Sequence, residues 1–196
     1  MSENTFAAHT VESAPLAAQR AMEATRKRFG YLPAPVARLA TSPHLLDGFL
    51  KLSGLFETTT LDPLAREVVI MTVATRNGCH VCVAMHTAKL LAMGEEDDYS
   101  ELAVALREQR APADDRLAAV REFTIAVLTS AGAVGDAALR AFLAAGFSRQ
   151  NALEVVLGIG AYTMSTLANR LTAAPLDEQL GSHAWSVEQP GRQARP

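Results

Sequence analysis

Only two cysteines occur in the 196 residues, at positions 79 and 82. A bridge between residues three apart would close a trivial loop, so the chain has no disulfide framework of the kind that holds small secreted domains together. The two thiols therefore point to chemistry. Aromatic residues are also scarce, at 6%, while hydrophobic residues reach 49% with alanine and leucine dominating. That composition favours packed helices over sheets. No run approaches the roughly 20 uninterrupted apolar residues of a bilayer crossing, so no membrane association is expected. The opening MSENTFAAHTVESAP lacks the positive region and apolar run of a secretory signal, which makes a cytoplasmic protein the expectation. Eighteen basic residues against twenty-one acidic ones give a net charge of −3. With no basic cluster to track a row of phosphates, nucleic acid is not an expected partner. A chain of this length supports one sizeable core, hence a single all-α domain.

The punctuation is helical throughout. Residues 14–29 read as a helix behind Ser13, with Pro15 in its first turn and Gly30 at its end. A short helix is expected at 36–41. Ser42-Pro43 and Asp62-Pro63 each place an N-cap residue before a proline at the first helical position. Asn77-Gly78 is a strong stop pair, so the next helix begins at or near Cys79 and runs towards Gly94. The acidic EEDD stretch at 95–98 is placed to cap a helix through Leu102, Val104 and Leu106. Further helices are expected at 114–131, 136–145 and 148–171. From about 177 the chain has too little apolar content to pack by itself and reads as a flexible tail with Trp185 as its anchor. Arg66-Glu67 with the helices after it is echoed by Arg121-Glu122 with the helices around Gly146, which suggests two related helical units. Val134, Ala137 and Ala141 stand where Cys79, Cys82 and His86 would fall, so any chemistry belongs to the first unit.

Cys79, Cys82 and His86 are spaced i, i+3, i+7, which puts them on one helical face. At the helix start the free N–H groups favour a thiolate, and a C-x-x-C pair there is the usual setting for a lowered thiol pKa. Glu67 lies twelve residues before Cys79. A hairpin through Asn77-Gly78 folds it back against His86, giving a relay in which the acid orients the imidazole and the imidazole takes a thiol proton. Two other readings stay open on the same residues: inert core cysteines, and a zinc site built from Cys79, Cys82, His86 and Glu67. Haem attachment is excluded because Val83, not histidine, follows Cys82. His80, His9, His44 and His183 read as surface residues, while Asn169 and Arg170 on the last helix are candidates to line a subunit contact or the site, with the surface as the preferred reading.

The stretch REVVIMTVATRNGCHVCVAMHTAKLLAMG resembles the signature of the carboxymuconolactone decarboxylase superfamily, on its alkylhydroperoxidase D-like (AhpD-like) branch, with the pattern E-x11-C-x2-C-x3-H at Glu67, Cys79, Cys82 and His86. The likeness is specific over about 43–95 and looser to about 176, where AYTMSTLANRLTAAPLDE is similar to the family's closing helix. It divides the chain into an N-terminal helical extension (1–42), an AhpD-like helical domain (43–176) and the tail (177–196). The resemblance implies an all-α fold of two related units and assembly into homo-oligomers, trimers or hexamers. It also implies thiol-dependent reduction of small hydroperoxides or disulfides, with no bound cofactor and no metal. Electrons would return from a thiol reductant protein of the thioredoxin type or from a dihydrolipoyl group. In the family the second cysteine is usually the attacking thiolate and the first its resolving partner, which transfers to Cys82 and Cys79. The helix-start argument favours charge on Cys79 instead. Where the best-studied type has histidine just before the second cysteine, this chain has Val81, with His80 one place earlier.

Two alternatives belong to other reaction classes: a lactone decarboxylase that relies on histidine and acidic groups, and a non-enzymatic thiol redox sensor or zinc-binding module. Finally, LEVVLGIGAYTMSTLANRL and EVVIMTVAT are apolar around more than one stripe, and this excess predicts a subunit contact.

Overall fold

The computed structural model describes residues 5–94 and 98–186, and its described secondary structure is helical, with no strand among those residues. The helices are α1 (Leu16–Phe29), α2 (Ala34–Leu39), α3 (Pro43–Glu57), α4 (Pro63–Arg76), α5 (His80–Ala92), α6 (Ser100–Arg107), α7 (Asp115–Thr129), α8 (Asp136–Ala144) and α9 (Arg149–Leu171), followed by a 3₁₀ turn, Glu178–His183. Local chemistry sets most of the boundaries. The Ser42 hydroxyl accepts from Leu45 N–H and the Asp62 carboxylate from Ala65 N–H, so both Xaa-Pro pairs open helices as read. Ser148 and Asn151 close a reciprocal capping box at the head of α9. Asp98 accepts from Ser100 N–H at the entry to α6. The rest of the acidic stretch, 95–97, lies outside the described residues.

Two starts differ from the sequence reading. Ser13 does not cap α1: its hydroxyl and that of Thr10 cap each other's amides, and the helix begins after Pro15. Helix α2 begins at Ala34 rather than 36, because the Asp177 carboxylate accepts Ala34 N–H at 2.8 Å from the far end of the chain. That end is tied down as far as it is described. The Trp185 indole N–H donates to Arg107 O, and the Arg107 guanidinium donates to the carbonyls of His183 and Ala184. Residues 187–196 of the expected tail lie outside the described residues.

The core is organised around α4, whose residues Glu67 through Thr75 are all buried. A helix that is apolar all round must be surrounded, and α3, α5, α6, α7 and α9 pack against it. This corrects one of the two arguments for a subunit contact, since the apolar excess of EVVIMTVAT is covered within the chain. The other survives: on α9 Leu153, Val156, Leu167 and Leu171 remain exposed, and their spacing keeps them on one face. Buried hydroxyls on α4 are satisfied locally, Thr72 donating to Val68 O and Thr75 to Met71 O. Where α9 crosses this core, Gly158 permits the close approach, because a Cβ there would lie 2.6 Å from the Phe56 ring and force that ring to move.

Candidate active site

Helix α4 stops at Asn77, and Gly78 takes φ +64, the left-handed conformation that lets the chain reverse at once into α5. This tight reversal places Cys79 as the N-cap of α5 and returns His86, two turns on, beside Glu67. His86 Nδ1–H donates to Glu67 Oε2 at 2.7 Å. The other carboxylate oxygen is taken by the Lys89 ammonium at 2.8 Å, and Lys89 also holds Glu57 at 2.6 Å. Glu67 is 1% exposed, and burial alone would raise its pKa. The His86 imidazole and the Lys89 ammonium outweigh that burial and hold the carboxyl below its usual range. In turn, Glu67 and Glu57 raise the Lys89 pKa against its own desolvation.

The two free thiols lie with their sulfurs 2.9 Å apart. Their environments push them in opposite directions. The hydrogen bond from Cys82, aided by the first-turn amides of Cys82 and Val81 and by Asn169, lowers the Cys79 thiol to about 7 against the cost of burial. The same contact with Cys79, together with burial, pushes Cys82 well up. Of the two, Cys79 is the thiol that its surroundings incline to give up its proton and Cys82 the one they incline to keep it. Access is distributed the other way: Cys79 is fully buried, whereas Cys82 lines a cavity of about 680 Å³ together with His86, Lys89 and Tyr162.

Three groups around these residues were not picked out from the sequence, and a fourth, Asn169, was read mainly as surface. Asn169 is buried, not surface as read, and its amide N–H donates to Cys82 Sγ at 3.3 Å and reaches Cys79 Sγ at 3.9 Å. Ser165 Oγ lies 3.8 Å from Cys82 Sγ. Both come from α9, more than eighty residues away, with no local signal to announce them. Tyr162 packs edge-on against His86, with ring centroids 5.3 Å apart. Lys89 did carry a signal, lying three residues after His86 on the same helical face. Arg170 is exposed, as read, and donates to Asn77 O. His44 is exposed and His80 half-buried, and neither lines the cavity. His9 is fastened, its amide donating to Ala37 O and its ring meeting Thr41. Among the described residues no three His, Cys, Asp or Glu side chains are arranged to hold a metal ion, and no helix is long and apolar enough to cross a membrane.

Residues 43–124, which carry Glu67, both cysteines and His86, match the model of the carboxymuconolactone decarboxylase family. Over that segment the chain is similar to the carboxymuconolactone decarboxylase family. No curated protein matches its sequence. Among solved structures it is similar to the alkylhydroperoxidase AhpD core of an uncharacterised peroxidase-related protein from Ralstonia eutropha JMP134, at 17% identity and a TM-score of 0.78 over 89% of this chain and 93% of that one. A peroxidase-related protein from Silicibacter sp. TM1040 gives 18% identity and a TM-score of 0.74 over 91% and 94%. The debrominase Bmp8 gives 14% and 0.72 over 93% and 96%. At these identities the likeness establishes an AhpD-like all-α fold. Residues before the matched segment also reach the site, since Thr25, Arg28 and Phe29 of α1 and Val36 of α2 line the cavity.

Proposed function

We propose that the protein is a thiol-dependent peroxidase or disulfide reductase in which Cys79 and Cys82 are the redox pair and Glu67 and His86 manage the protons. The observation that carries this reading is the division of labour between the thiols. Charge is stored on buried Cys79, 2.9 Å from a Cys82 sulfur that faces the cavity. As a hydroperoxide arrives, the S–H···S bond passes the proton to Cys79 and the charge to Cys82. Cys82 Sγ then attacks the nearer peroxide oxygen, forming an S–O bond as the O–O bond breaks. The leaving alkoxide takes a proton from His86 Nε2, the one that the thiol pair gave up to the imidazole when Cys79 ionised, while Nδ1–H stays on Glu67. The Cys79 thiol next attacks the Cys82 sulfenic acid, closing the disulfide and releasing water. The sum is hydroperoxide plus two thiols to alcohol, water and disulfide, and an external dithiol, a thioredoxin-like protein or a dihydrolipoyl group, restores the pair by exchange.

Adding one equivalent of hydroperoxide to the reduced protein tests this. A Cys79–Cys82 disulfide should form with loss of both thiols, and Cys82→Ser should abolish turnover. Thiols that survive excess peroxide would overturn the reading. Decarboxylation of a carboxylated lactone that persists in a Cys79→Ser, Cys82→Ser double variant would favour the lactone decarboxylase instead. Because Bmp8 is a debrominase, and a cysteine-to-alanine variant of it was solved with 2,3,4-tribromopyrrole, a bromopyrrole belongs in the same assay as a competing electrophile. The proposal includes a homo-oligomer, trimer or hexamer, with the exposed α9 stripe of Leu153, Val156, Leu167 and Leu171 as the contact. A scattering mass equal to one 20.9 kDa chain would remove that part.

A further inference from the structure

The cavity in front of Cys82 is far larger than a small peroxide needs. Its volume is about 680 Å³, against roughly 30 Å³ for one water in the liquid and about 300–1,000 Å³ for pockets that enclose a whole organic molecule. Its walls are apolar: Phe29, Val36, Leu39, Phe49, Leu50 and Met85 line it, so the molecule it fits has a hydrocarbon body. The charged groups on the lining are Arg28, Glu57 and Lys89, with His86 beside them. Glu57 and Lys89 neutralise each other at 2.6 Å, and Lys89 is further engaged by Glu67.

Arg28 stands apart from this set. Arg26 and Lys27, its neighbours in the last turn of α1, both pair with Glu23. Arg28 has no carboxylate within 4.0 Å among the described residues, and its guanidinium carbon lies 5.6 Å from the Phe29 ring centroid, against the cavity wall. A guanidinium offers a rigid donor fork that matches a carboxylate in two-point geometry. The cavity therefore joins a thiol that faces it, a long apolar wall contributed largely by α1, α2 and α3, and one cation that no carboxylate among the described residues neutralises.

We propose that the site takes an amphipathic organic hydroperoxide, a hydrocarbon body carrying a carboxylate, and that Arg28 is the residue that reads the acid. This rests on the peroxidase reading above, and the reaction is the same one: the peroxide oxygen goes to Cys82 and the product is the hydroxy acid. Hydrogen peroxide, which touches neither the wall nor Arg28, is a poor substrate.

The test uses the full chain and three oxidants, linoleic acid hydroperoxide, its methyl ester and hydrogen peroxide, following single-turnover disulfide formation in the wild type, Arg28→Gln and Arg28→Lys. The acid should react roughly tenfold faster than the ester at limiting concentration, the scale of one charge-assisted contact. Arg28→Gln should erase that preference, and Arg28→Lys should restore part of it. Equal rates for acid and ester in the wild type, or an equal loss on both in Arg28→Gln, would overturn the assignment. Calorimetric binding of the corresponding hydroxy acid and its methyl ester separates the two layers. If no oxidant forms the disulfide but the hydroxy acid still binds in an Arg28-dependent way, the peroxidase reading fails and the acid site stands. If the disulfide forms and the acid has no advantage in rate or binding, the acid site fails alone.

Discussion

The α4–α5 hairpin and the α7–α8 hairpin are the two halves of a sequence echo, and they have been put to opposite uses. In the first, Glu67 is buried and bound to His86 and Lys89, and the returning helix buries seven of its residues, Cys82 and His86 among them. In the second, Glu122 is exposed and α8 buries only Phe142. That ring stacks on Phe123 at 4.3 Å and on Phe147 at 4.6 Å, and Arg116 covers Phe147 at 4.2 Å. The helix start has also slipped by one residue: Cys79 is itself the N-cap of α5, whereas Gly135, one place after the equivalent Val134, caps α8. The same hairpin therefore encloses thiols and a buried ion-pair network when its returning helix is buried with polar groups inside. It serves as a buttress when that helix lies outside and is pinned by one aromatic stack.

Substitutions in the two hairpins should separate these uses. Phe142→Ala should cost about 3–5 kcal/mol of stability, read as a lowered denaturant midpoint, while the folded fraction keeps its thiol reactivity. Loss of reactivity in the folded fraction would show that the buttress is not independent of the site. Glu67→Gln should slow disulfide formation by about 10²-fold with the fold retained, whereas Glu122→Gln should change neither rate nor stability.

Within the α4–α5 hairpin, the thiols can be told apart by pH. Alkylation of the wild-type protein should rise through about 7 as pH increases, because the thiolate is the form present above that value. In Cys79→Ser the remaining Cys82 has lost the partner that stores its charge. Its alkylation at pH 7 should fall roughly tenfold and recover at higher pH, in line with an ordinary or raised thiol pKa. A Cys79→Ser variant with the wild-type profile would show that the charge does not reside on Cys79.

The smallest contrast concerns the turns. Gly78 and Ala131 both hold positive φ, +64 and +51, but only the first is glycine. Ala131→Gly should stabilise the α7–α8 connection by about 0.5 kcal/mol, and Gly78→Ala should destabilise the α4–α5 turn by about 1 kcal/mol, both read from thermal midpoints.

How much of this could be read in advance follows the distance over which each signal acts. Ser42, Asp62 and Ser148 announced helices because a cap bonds to an amide three residues away. Ser13 misled because its hydroxyl found Thr10 behind it instead of the helix in front. The spacing of Cys79, Cys82 and His86 was legible since one helix carries all three, and the contact of His86 with Glu67 followed from one tight turn. Ser165 was not legible, and Asn169 only as one option beside the surface, because both reach the sulfurs only through the crossing of α9 over the α4–α5 hairpin. The apolar excess of α4 was read correctly as needing cover and assigned to the wrong cover. Pattern reveals that a face must be buried, and only the packed chain reveals against what.

Gly158 gives that crossing a consequence for mutational screens. The ring that a Cβ there would strike, Phe56, leans edge-on against Tyr162, and Tyr162 leans in the same way against His86. A methyl group added at position 158 would thus be transmitted through two aromatic rings to the posture of the imidazole. A variant at this glycine would score as inactive in a screen although it alters no reacting atom, and its defect would lie in aim, with both thiols still present and still titrating.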